Sequence, residues 1–447
     1  MTALSGWGRT APTRARLRTP ATEAQAAQAV HSAGARGSVA RGLGRSYGDA
    51  AQNAGGTVLD MTALSAIRSI DVQHGLVDCA AGVSLDTLMR VLMPLGWFVP
   101  VTPGTRYVTV GGAIAADIHG KNHHLSGSFG RHVRSLDLLG ADGEVRTLTP
   151  EGDPELFWAT ASGMGLTGVI LSAKIQLLPV QSALMSVDTE RAVDLDDLMD
   201  RLESADHRYR YSVAWIDLLA RGAATGRAVL TRGDHATVDQ LDVRSRRDPL
   251  ALRTPRLPPV PRGVPSHLLN TRTVAAFNTL WYRKAPRERR GQLQKISTFF
   301  HPLDGLPEWN RIYGPGGFVQ YQFVVPPSEH GALRRIIETI SRHRCPTFLA
   351  VLKRFGPGDP GWLSFPMPGW TLALDIPTTL PGLAGLLDRL DEHVLAAGGR
   401  IYLAKDSRLR PHTLAEMYPR LGEFRELRAR IDPDRRFTSD LARRLDL

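Results

Sequence analysis

Apolar and polar positions alternate along the first third of the chain in a way that predicts short helices and strands. An alanine-rich helix is expected from Thr22 to about Gly34, with Val30 on its apolar face. Ser84 is positioned to begin a second helix, whose apolar residues recur at helical spacing: Leu85, Leu88, Met89 and Leu92. Apolar runs bounded by turn residues predict strands at 38–40, 56–61, 76–81, 135–139, 144–148 and 168–178. Asp142-Gly143 predicts a tight hairpin between two of these strands.

The pattern after Pro179 is weaker and indicates a second region. Strands are expected at 209–217, 318–325, 347–352 and 371–376, and helices at 333–341 and 380–397. Between them, residues 243–265 combine six arginines with six prolines, which we expect to form a mobile surface loop. These residues are Arg244, Arg246, Arg247, Arg253, Arg256, Arg262, Pro249, Pro255, Pro258, Pro259, Pro261 and Pro265.

Composition restricts the class of protein. The 447 residues are 43% hydrophobic and 22% charged, an ordinary globular balance with length enough for two domains. Two cysteines, Cys79 and Cys345, cannot form a disulfide framework or a cysteine-rich metal site. The start lacks the apolar segment of a secretory signal, and no apolar run has bilayer-spanning length. We therefore expect cytoplasmic synthesis and at most peripheral contact with the plasma membrane. The sequence does not indicate on which side of the membrane the protein acts.

The net charge of +11 favours anionic partners, namely phosphate-bearing ligands, an acidic membrane face or nucleic acid. The sequence contains no aromatic-basic platform and no recognition-helix motif, so we expect no nucleic-acid binding.

The glycine-rich segment 41–49 has the composition of a phosphate-binding loop. Closely spaced glycines let backbone N–H groups converge on phosphate oxygens, and the two arginines add positive charge. A Rossmann loop would require a long apolar helix directly after the glycines. The continuation here, 50–56, is too short and ends in glycine. A surface turn without a binding role is the alternative.

A second small-residue segment points to the same chemistry. Thr109 can cap a helix whose first turns contain almost only glycine and alanine, so a flat cofactor could lie against its backbone. A tightly packed core helix is the alternative, but the segment ends in polar residues, His119-Gly120-Lys121-Asn122-His123-His124, that a core does not favour.

Together the two segments resemble the PCMH-type FAD-binding domain of the vanillyl-alcohol oxidase family. Within that family the chain is similar to members that oxidise a polyprenylphosphoryl-ribose, and the resemblance extends over nearly the whole chain. The matching motifs are Gly6-Trp7-Gly8-Arg9, 41–49, 108–124, Glu155-Leu156-Phe157-Trp158, Trp281-Tyr282-Arg283-Lys284, Gln320-Tyr321-Gln322-Phe323 and Ala404-Lys405-Asp406-Ser407-Arg408.

The resemblance implies an α+β, two-domain flavoprotein. Its parts would be an FAD-binding domain at 1–180, a substrate domain at 181–395 built on an antiparallel sheet with helices, and a C-terminal segment at 396–447 that returns to the FAD site. It implies FAD-dependent oxidation of the 2′-hydroxyl of decaprenylphosphoryl-β-D-ribose to the 2′-keto sugar, the first half of an epimerisation that yields the arabinose donor for cell-wall arabinan. A separate NAD(P)H-dependent reductase would complete it. An alditol or aldonolactone oxidase of the same family is the alternative.

By resemblance, one set of residues surrounds FAD. The set is Ala40, Arg41, Gly42, Leu43, Gly44, Arg45, Ser46, Tyr47, Gly48, Asp49, Ala50, Gly104, Thr109, Val110, Gly111, Gly112, Ala116, Asp117, Ile118, His119, Ile170 and Tyr402. Many relatives attach the flavin covalently to a histidine in the first glycine loop. Arg45 stands at that position here, so we expect noncovalent FAD.

Three residues are expected to act in catalysis. Lys405 would stabilise the negative charge that develops on the flavin, His119 would order the site or take up the substrate proton, and Tyr47 would hydrogen-bond the sugar or pack under the ring. His119, His123 and His124 could also be read as metal ligands, but flavin chemistry needs no metal and we expect none. The substrate side would comprise Lys121, Trp215, Gln320, Gln322, Lys353, Phe355, Thr371 and Ala373.

Three positions depart from the family pattern. Thr371 replaces the usual asparagine, which leaves sugar selectivity open, and Phe300 stands where a tyrosine is common. Ala373 occupies a position that is usually cysteine in mycobacterial relatives, so we expect resistance to nitro-aromatic inhibitors such as benzothiazinones, which capture that thiol. The segment 243–265 could gate the site or sit against an anionic lipid surface, or it could be a passive loop.

Overall fold

The computed structural model describes residues 1–254 and 257–447, so Pro255 and Arg256 of the Arg/Pro segment lie outside the described residues. Two small sheets form the N-terminal part. The first pairs its strands in the order β1-β2-β4-β3, with β4 parallel to both neighbours, and the second in the antiparallel order β5-β6-β10-β8-β9. The strands are β1 (Thr2–Leu4), β2 (Thr13–Arg18), β3 (Ser38–Arg41), β4 (Thr57–Asp60), β5 (Ile67–Asp71), β6 (Leu76–Ala80), β7 (Trp97–Phe98), β8 (Val133–Leu139), β9 (Val145–Leu148) and β10 (Val169–Gln176).

An eight-stranded antiparallel sheet forms the second part, in the order β15-β12-β14-β13-β17-β18-β16-β19. A short strand, β11 (Leu178–Pro179), pairs with β7 just before it. Strand β18 lies between β17 and β16, and all nine of its residues are buried. The strands are β12 (Leu184–Ala192), β13 (Tyr211–Ile216), β14 (Ala228–His235), β15 (Glu288–Lys295), β16 (Phe318–Val325), β17 (Ala350–Phe355), β18 (Gly369–Pro377) and β19 (Arg400–Ile401).

Thirteen α-helices of the described residues cover these sheets. Their bounds are α1 (Glu23–His31), α2 (Leu85–Leu92), α3 (Val110–Ala115), α4 (His123–Ser126), α5 (Pro154–Thr160), α6 (Leu195–Ala205), α7 (Thr271–Lys284), α8 (Ile296–Phe300), α9 (His330–Arg342), α10 (Leu383–Ala396), α11 (Pro411–Met417), α12 (Leu421–Ile431) and α13 (Asp440–Leu445). Within the same residues no helix combines the length and the apolar character needed to cross a bilayer.

The helices begin where local chemistry predicts. The Ser84 hydroxyl accepts from the Thr87 amide at 3.0 Å and the Thr22 hydroxyl from the Gln25 amide at 3.2 Å, so both N-caps are confirmed. The four apolar residues of α2 are all buried. The hairpin through Asp142-Gly143 joins β8 to β9. The expected α+β fold with an antiparallel second sheet is therefore confirmed.

The middle of the chain contains more regular secondary structure than the sequence predicted. Strands β12, β14 and β15 and helices α6 and α7 are regular, although the sequence indicated a poorly patterned stretch there. Strand β15 lies at the edge of the sheet and exposes five of its eight residues, so it lacks a clean apolar alternation. The strand expected at 347–352 begins later, at Ala350.

The described residues of the Arg/Pro segment contain one short 3-10 turn, Ser245–Arg247, and are otherwise irregular. Backbone hydrogen bonds at three of its described residues, among other contacts, hold it to the fold. Pro249 accepts from the Ala183 amide at 2.7 Å, and the amides of Leu257 and Val260 donate to Gly305 and Pro307 at 2.8 and 2.9 Å.

Candidate active site

A cavity of about 1570 Å³ lies between the N-terminal sheets and the eight-stranded sheet. Pockets for single small ligands are commonly about 300–1,000 Å³, so this one has room for a large cofactor and a second ligand. Its walls include the first glycine loop, the start of α3, seven strands of the large sheet and the segment before α11. The cavity thus brings together parts of the chain that are distant in sequence.

The first glycine loop meets the start of α3 inside this cavity. A Cβ atom on Gly42 would lie 2.1 Å from the hydroxyl oxygen of Thr109, so only glycine permits this approach. The same Thr109 hydroxyl caps α3 by accepting from the Gly112 amide at 3.3 Å. In the described part of the chain, the amides of residues 42–46 donate to no backbone acceptor. Free N–H groups converging on a cavity suit the diphosphate of a dinucleotide.

Both arginines of the loop are engaged with the protein. Arg41 donates to the carbonyls of Ala51 and Ser5 at 3.0 and 2.8 Å, which fixes the shape of the loop. The Arg45 guanidinium lies 4.0 Å from the centroid of the Trp7 ring. Burial lowers the pKa of both arginines. Both arginines line the cavity, and Arg41 in addition supports the shape of the loop.

The C-terminal segment is held against the first glycine loop. The Tyr47 amide donates to the Ala404 carbonyl at 2.9 Å, and a Cβ on Gly48 would lie 2.0 Å from the Asp406 carbonyl oxygen. The Asp49 carboxylate accepts from Arg444 at 2.8 and 2.9 Å. These contacts place the Lys405 ammonium 4.0 Å from the centroid of the Tyr47 ring.

His119 is a buried, neutral imidazole. Burial, followed by the nearby charges of Lys353, His123 and Lys405, lowers its pKa well below the ordinary value. Its Nε2 lies 2.9 Å from the Gln322 amide nitrogen, which donates to it. The proton of the neutral ring is then on Nδ1, which has no hydrogen-bond partner among the described residues.

Three lysines make the cavity electropositive. Burial lowers the pKa of Lys121 to about 7, of Lys353 to about 8 and of Lys405 to about 7. The pKa of Lys121 and that of Lys405 are lowered further by the charge of Lys353. An anion bound among these three ammonium groups would therefore be strongly favoured.

Asp375 is the acidic counterpart of this cluster. Burial raises its pKa to about 7. Its carboxyl group accepts from the Gln320 amide at 2.5 Å and from the Tyr313 hydroxyl at 3.2 Å. The charge of Asp375 in turn raises the pKa of Lys405, which opposes the effect of burial. Asp375 and Lys405 therefore influence each other's protonation.

Most residues expected at the site line this cavity. They are Ala40, Arg41, Gly42, Leu43, Gly44, Arg45, Ser46, Tyr47, Ala50, Gly104, Thr109, Gly111, Gly112, Ala116, Ile118, His119, Lys121, Ile170, Trp215, Gln320, Gln322, Lys353, Ala373, Tyr402 and Lys405. Six others lie behind the wall: Gly48, Asp49, Val110, Asp117, Phe355 and Thr371.

The residues behind the wall support those in front of it. Asp117 accepts from the Gly130 amide at 3.0 Å and from the Ser364 hydroxyl at 2.6 Å, so its carboxylate is used within the protein. The Thr371 hydroxyl is fully buried, 3.4 Å from the Gln322 amide. The Phe355 ring packs 4.9 Å from the His119 ring, between centroids.

The sequence did not indicate a group of apolar residues on the cavity wall, which is called the apolar branch below. This group consists of Val213, Val229, Phe277, Trp281, Phe348 and Val351. The spacing of Phe277, Trp281 and Lys284 on one helical face was a usable signal, but the helix itself had not been predicted.

The neighbouring histidines are engaged elsewhere. His123 Nε2 lies 2.9 Å from an Asp359 carboxylate oxygen, and His124 Nε2 lies 2.9 Å from the Tyr209 carbonyl. The structure, over the residues it describes, contains no group of three side chains placed to hold a metal ion.

Two parts of the chain that line the cavity match known families. Residues 15–149 match the FAD binding domain family, and residues 320–445 match the D-arabinono-1,4-lactone oxidase family. The chain is 49% identical to decaprenylphosphoryl-β-D-ribose oxidase of Mycolicibacterium smegmatis, with 99% of this chain and 97% of that protein covered. It is 26% identical to L-gulono-1,4-lactone dehydrogenase of Mycobacterium tuberculosis, with 95% and 94% covered. To Delta(24)-sterol reductase of Rattus norvegicus it is 29% identical over 121 residues, 27% of this chain and 23% of that protein.

The fold, the converging glycine loops and these matches define an FAD-dependent oxidoreductase of two-part α+β architecture. The free amides of residues 42–46 and the close approach of Gly42 to Thr109 fit the diphosphate of FAD, so the expected cofactor is confirmed. The chain belongs to the decaprenylphosphoryl-β-D-ribose oxidase family, as the motifs had indicated.

Proposed function

We propose that this protein oxidises the 2′-hydroxyl of a decaprenylphosphoryl-β-D-ribose to the 2′-keto sugar. The principal support is one continuous cavity in which the two glycine loops, a cluster of lysines and an apolar branch meet. Glycine loops suit FAD, lysines suit a phosphate and an apolar branch suits an isoprenoid chain. The relative from M. smegmatis bears the name of this reaction's substrate.

FAD, when bound, supplies the acceptor for the hydride that leaves the alcohol carbon. The protein's part is to stabilise charge and to manage the hydroxyl proton. The Lys405 side chain contacts the Tyr47 ring at the cavity wall, and the charge of Asp375 opposes the burial that lowers its pKa to about 7. In its protonated form Lys405 would stabilise negative charge that develops there. The neutral His119 accepts a hydrogen bond from Gln322 at Nε2, so it would order the site through its remaining Nδ1–H group.

The remaining polar groups would position the substrate. Lys121 and Lys353 share the buried electropositive region and would bind the phosphate that joins the sugar to the lipid. Gln320 and Gln322 neighbour each other on the same face of β16, two residues apart, and face ribose hydroxyls. Lys121 also lies 4.4 Å from the Phe299 ring centroid, which fixes its side chain in the apolar wall.

Two further parts of the proposal concern partners. The 2′-keto product would need a hydride donor to become the epimeric alcohol, so a separate NAD(P)H-dependent reductase is the expected partner. A substrate with a long isoprenoid chain resides in a bilayer, so the protein would work peripherally at a membrane.

A lactone or alditol oxidase is the second candidate, because residues 320–445 match the D-arabinono-1,4-lactone oxidase family. A small lactone would leave the branch between Val213 and Trp281 without a ligand, which favours the lipid-linked substrate.

Anaerobic mixing tests the proposal. Decaprenylphosphoryl-β-D-ribose in detergent should bleach the flavin absorbance, and a water-soluble farnesylphosphoryl-β-D-ribose should do so too, because the reacting sugar is the same. Decaprenyl phosphate without the sugar is the matched control and should leave the spectrum unchanged. Bleaching by L-gulono-1,4-lactone or sugar alcohols, with none by either lipid-linked ribose, would establish the second candidate instead.

A further inference from the structure

Helix α7 is fixed to the large sheet by one face only. Val274 and Asn278 on that face are buried, and the Asn278 amide donates to an Asp217 carboxylate oxygen at 2.8 Å. One turn later the Tyr282 hydroxyl donates to the Ala192 carbonyl at 3.2 Å. These contacts determine which side of the helix faces outward.

The outward face of α7 is unusually apolar. Phe277, Leu280 and Trp281 are 44%, 68% and 47% exposed and lie at the i, i+3, i+4 spacing of one helical face. In the segment leading into the helix, Leu257 and Leu268 are 61% and 49% exposed. Isolated exposed apolar residues are ordinary, but a continuous stripe on one helix indicates an interaction surface.

This face continues into the substrate cavity. Phe277 and Trp281 both line the cavity, and their rings stack with centroids 6.1 Å apart. The Phe277 ring also contacts the Phe348 ring edge-on at 5.9 Å, and the Phe348 carbonyl accepts from the Trp215 indole at 2.9 Å. Aromatic side chains therefore line a path from the exposed helix face to the interior.

Positive charge surrounds the apolar stripe. Residues 266–295 contain seven lysines and arginines against one glutamate. Arg272, Arg283, Lys284, Arg287 and Arg289 among them are exposed. A helix with an apolar face, an aromatic residue and flanking basic residues has the properties of one that lies in the interface of an anionic bilayer.

We propose that the outward face of α7, residues Phe277, Leu280 and Trp281 with the basic residues beside them, docks on an anionic lipid bilayer. The isoprenoid chain of the substrate then passes along Phe277 and Trp281 into the cavity without crossing water. The proposal rests on the lipid-linked substrate of the proposed function. A protein partner on this face is the competing occupant, and the basic surround favours the lipid surface over it.

Flotation of the holoenzyme with lipid vesicles tests the docking. The wild type should float with vesicles of phosphatidylcholine and phosphatidylglycerol, and should stay in solution with phosphatidylcholine alone. The test variant is L280E/R283E, because both side chains are exposed and neither lines the cavity. We expect its vesicle binding to fall by about tenfold or more, since the variant buries a charge and reverses another.

The control variant V72E/R18E makes the same chemical changes at exposed residues outside α7, where Val72 is 47% exposed. It should float like the wild type. Both variants should turn over water-soluble farnesylphosphoryl-β-D-ribose at the wild-type rate. If the wild type itself does not turn over this substrate, the result counts against the proposed function and not against docking. Wild-type holoenzyme that fails to float, or L280E/R283E that floats normally, would overturn the docking. A stable dimer broken by L280E/R283E, without flotation of the wild type, would assign the face to a protein interface.

Discussion

The Lys405 ammonium lies 4.0 Å from the centroid of the Tyr47 ring, so the C-terminal segment meets the first glycine loop at the cavity wall. The amide of Tyr47 donates to Ala404, the residue before the lysine, and the backbone therefore fixes the pair. A cation with little freedom to move needs no reorganisation when charge develops beside it. The arrangement would let a lysine in the C-terminal segment act on a cofactor bound by an N-terminal loop.

Replacing Lys405 by alanine should therefore separate catalysis from cofactor binding. We expect Lys405→Ala to fold and to retain FAD, because the glycine loops are unchanged. The catalytic rate should fall by about 10²–10³-fold, the cost of removing one preorganised stabilising group. Steady-state turnover and the flavin absorbance of the purified variant measure the two properties. Lys174→Ala, at an exposed lysine on β10, is the control and should be fully active; near-normal turnover of Lys405→Ala would remove the assignment.

The close approach of Gly42 to Thr109 predicts a cofactor-binding defect. A Cβ at residue 42 would lie 2.1 Å from the Thr109 hydroxyl oxygen, so Gly42→Ala must move the loop away from α3. Overpacking of this kind costs about 1–3 kcal/mol, and we expect FAD affinity to fall by roughly tenfold or more. Titration of the apoprotein with FAD measures it. Adding Thr109→Ala should restore part of the affinity, and Gly422→Ala, where a Cβ meets nothing within 4 Å, should have no effect.

FAD should be bound without a covalent link. Residues 40–50 contain no histidine or cysteine, and the Arg45 guanidinium packs against the Trp7 ring. Burial raises the pKa of the Cys79 and Cys345 thiols to about 12, so neither is a nucleophile at neutral pH. Acid precipitation of the holoenzyme should release the yellow colour into the supernatant. A yellow pellet that survives washing would show the opposite.

Local patterns predicted much of the N-terminal part. The caps at Thr22 and Ser84 and the Asp142-Gly143 hairpin depend on neighbouring residues, so the sequence indicates them directly. Strand β15 depends on long-range pairing at a sheet edge, where exposed polar residues hide the alternation.

The candidate site was predicted only as far as the motifs extend. The glycine loop and Lys405 lie in motifs, and both line the cavity. Asp375 had no local signal, because its importance comes from burial beside Gln320 and Tyr313 after folding. Asp117 is the opposite case, because it lies in a motif but does not line the cavity. Its carboxylate accepts from the Ser364 hydroxyl instead. Sequence order alone does not show which way such a side chain points.

Ala373 predicts how the protein responds to nitro-aromatic inhibitors. Ala373 lines the cavity beside Gln322 in the register of β18 with β16, so a thiol placed there would face a bound ligand. The two native thiols are buried. We expect no adduct on the wild type and a stoichiometric adduct on Ala373→Cys after turnover with the inhibitor, as read by intact-protein mass spectrometry. A stable adduct on the wild type would contradict the prediction.

The buried carboxyl group of Asp375 predicts a pH dependence of stability. Burial raises its pKa from 3.8 to about 7, so the folded apoprotein binds this proton more tightly than the unfolded chain does. The resulting stability is present below about pH 4 and is lost as the pH rises through about 7. Relative to Asp375→Asn, which cannot ionise, the wild type should lose stability on the order of 4 kcal/mol across that interval, at about 1.4 kcal/mol for each pKa unit.

Urea unfolding of the apoprotein at a series of pH values measures the difference between wild type and Asp375→Asn. Asp71→Asn is a control of opposite sign, because hydrogen bonds from His74 lower the pKa of that exposed carboxylate. Its difference from wild type should be small and should grow as the pH rises from acid, whereas that of Asp375→Asn should shrink or reverse. The charge of Asp375 also raises the pKa of Lys405, so ionisation at Asp375 is partly compensated where the lysine is protonated. A pH-independent difference for Asp375→Asn would mean that this carboxyl group titrates at its ordinary pKa and does not govern Lys405.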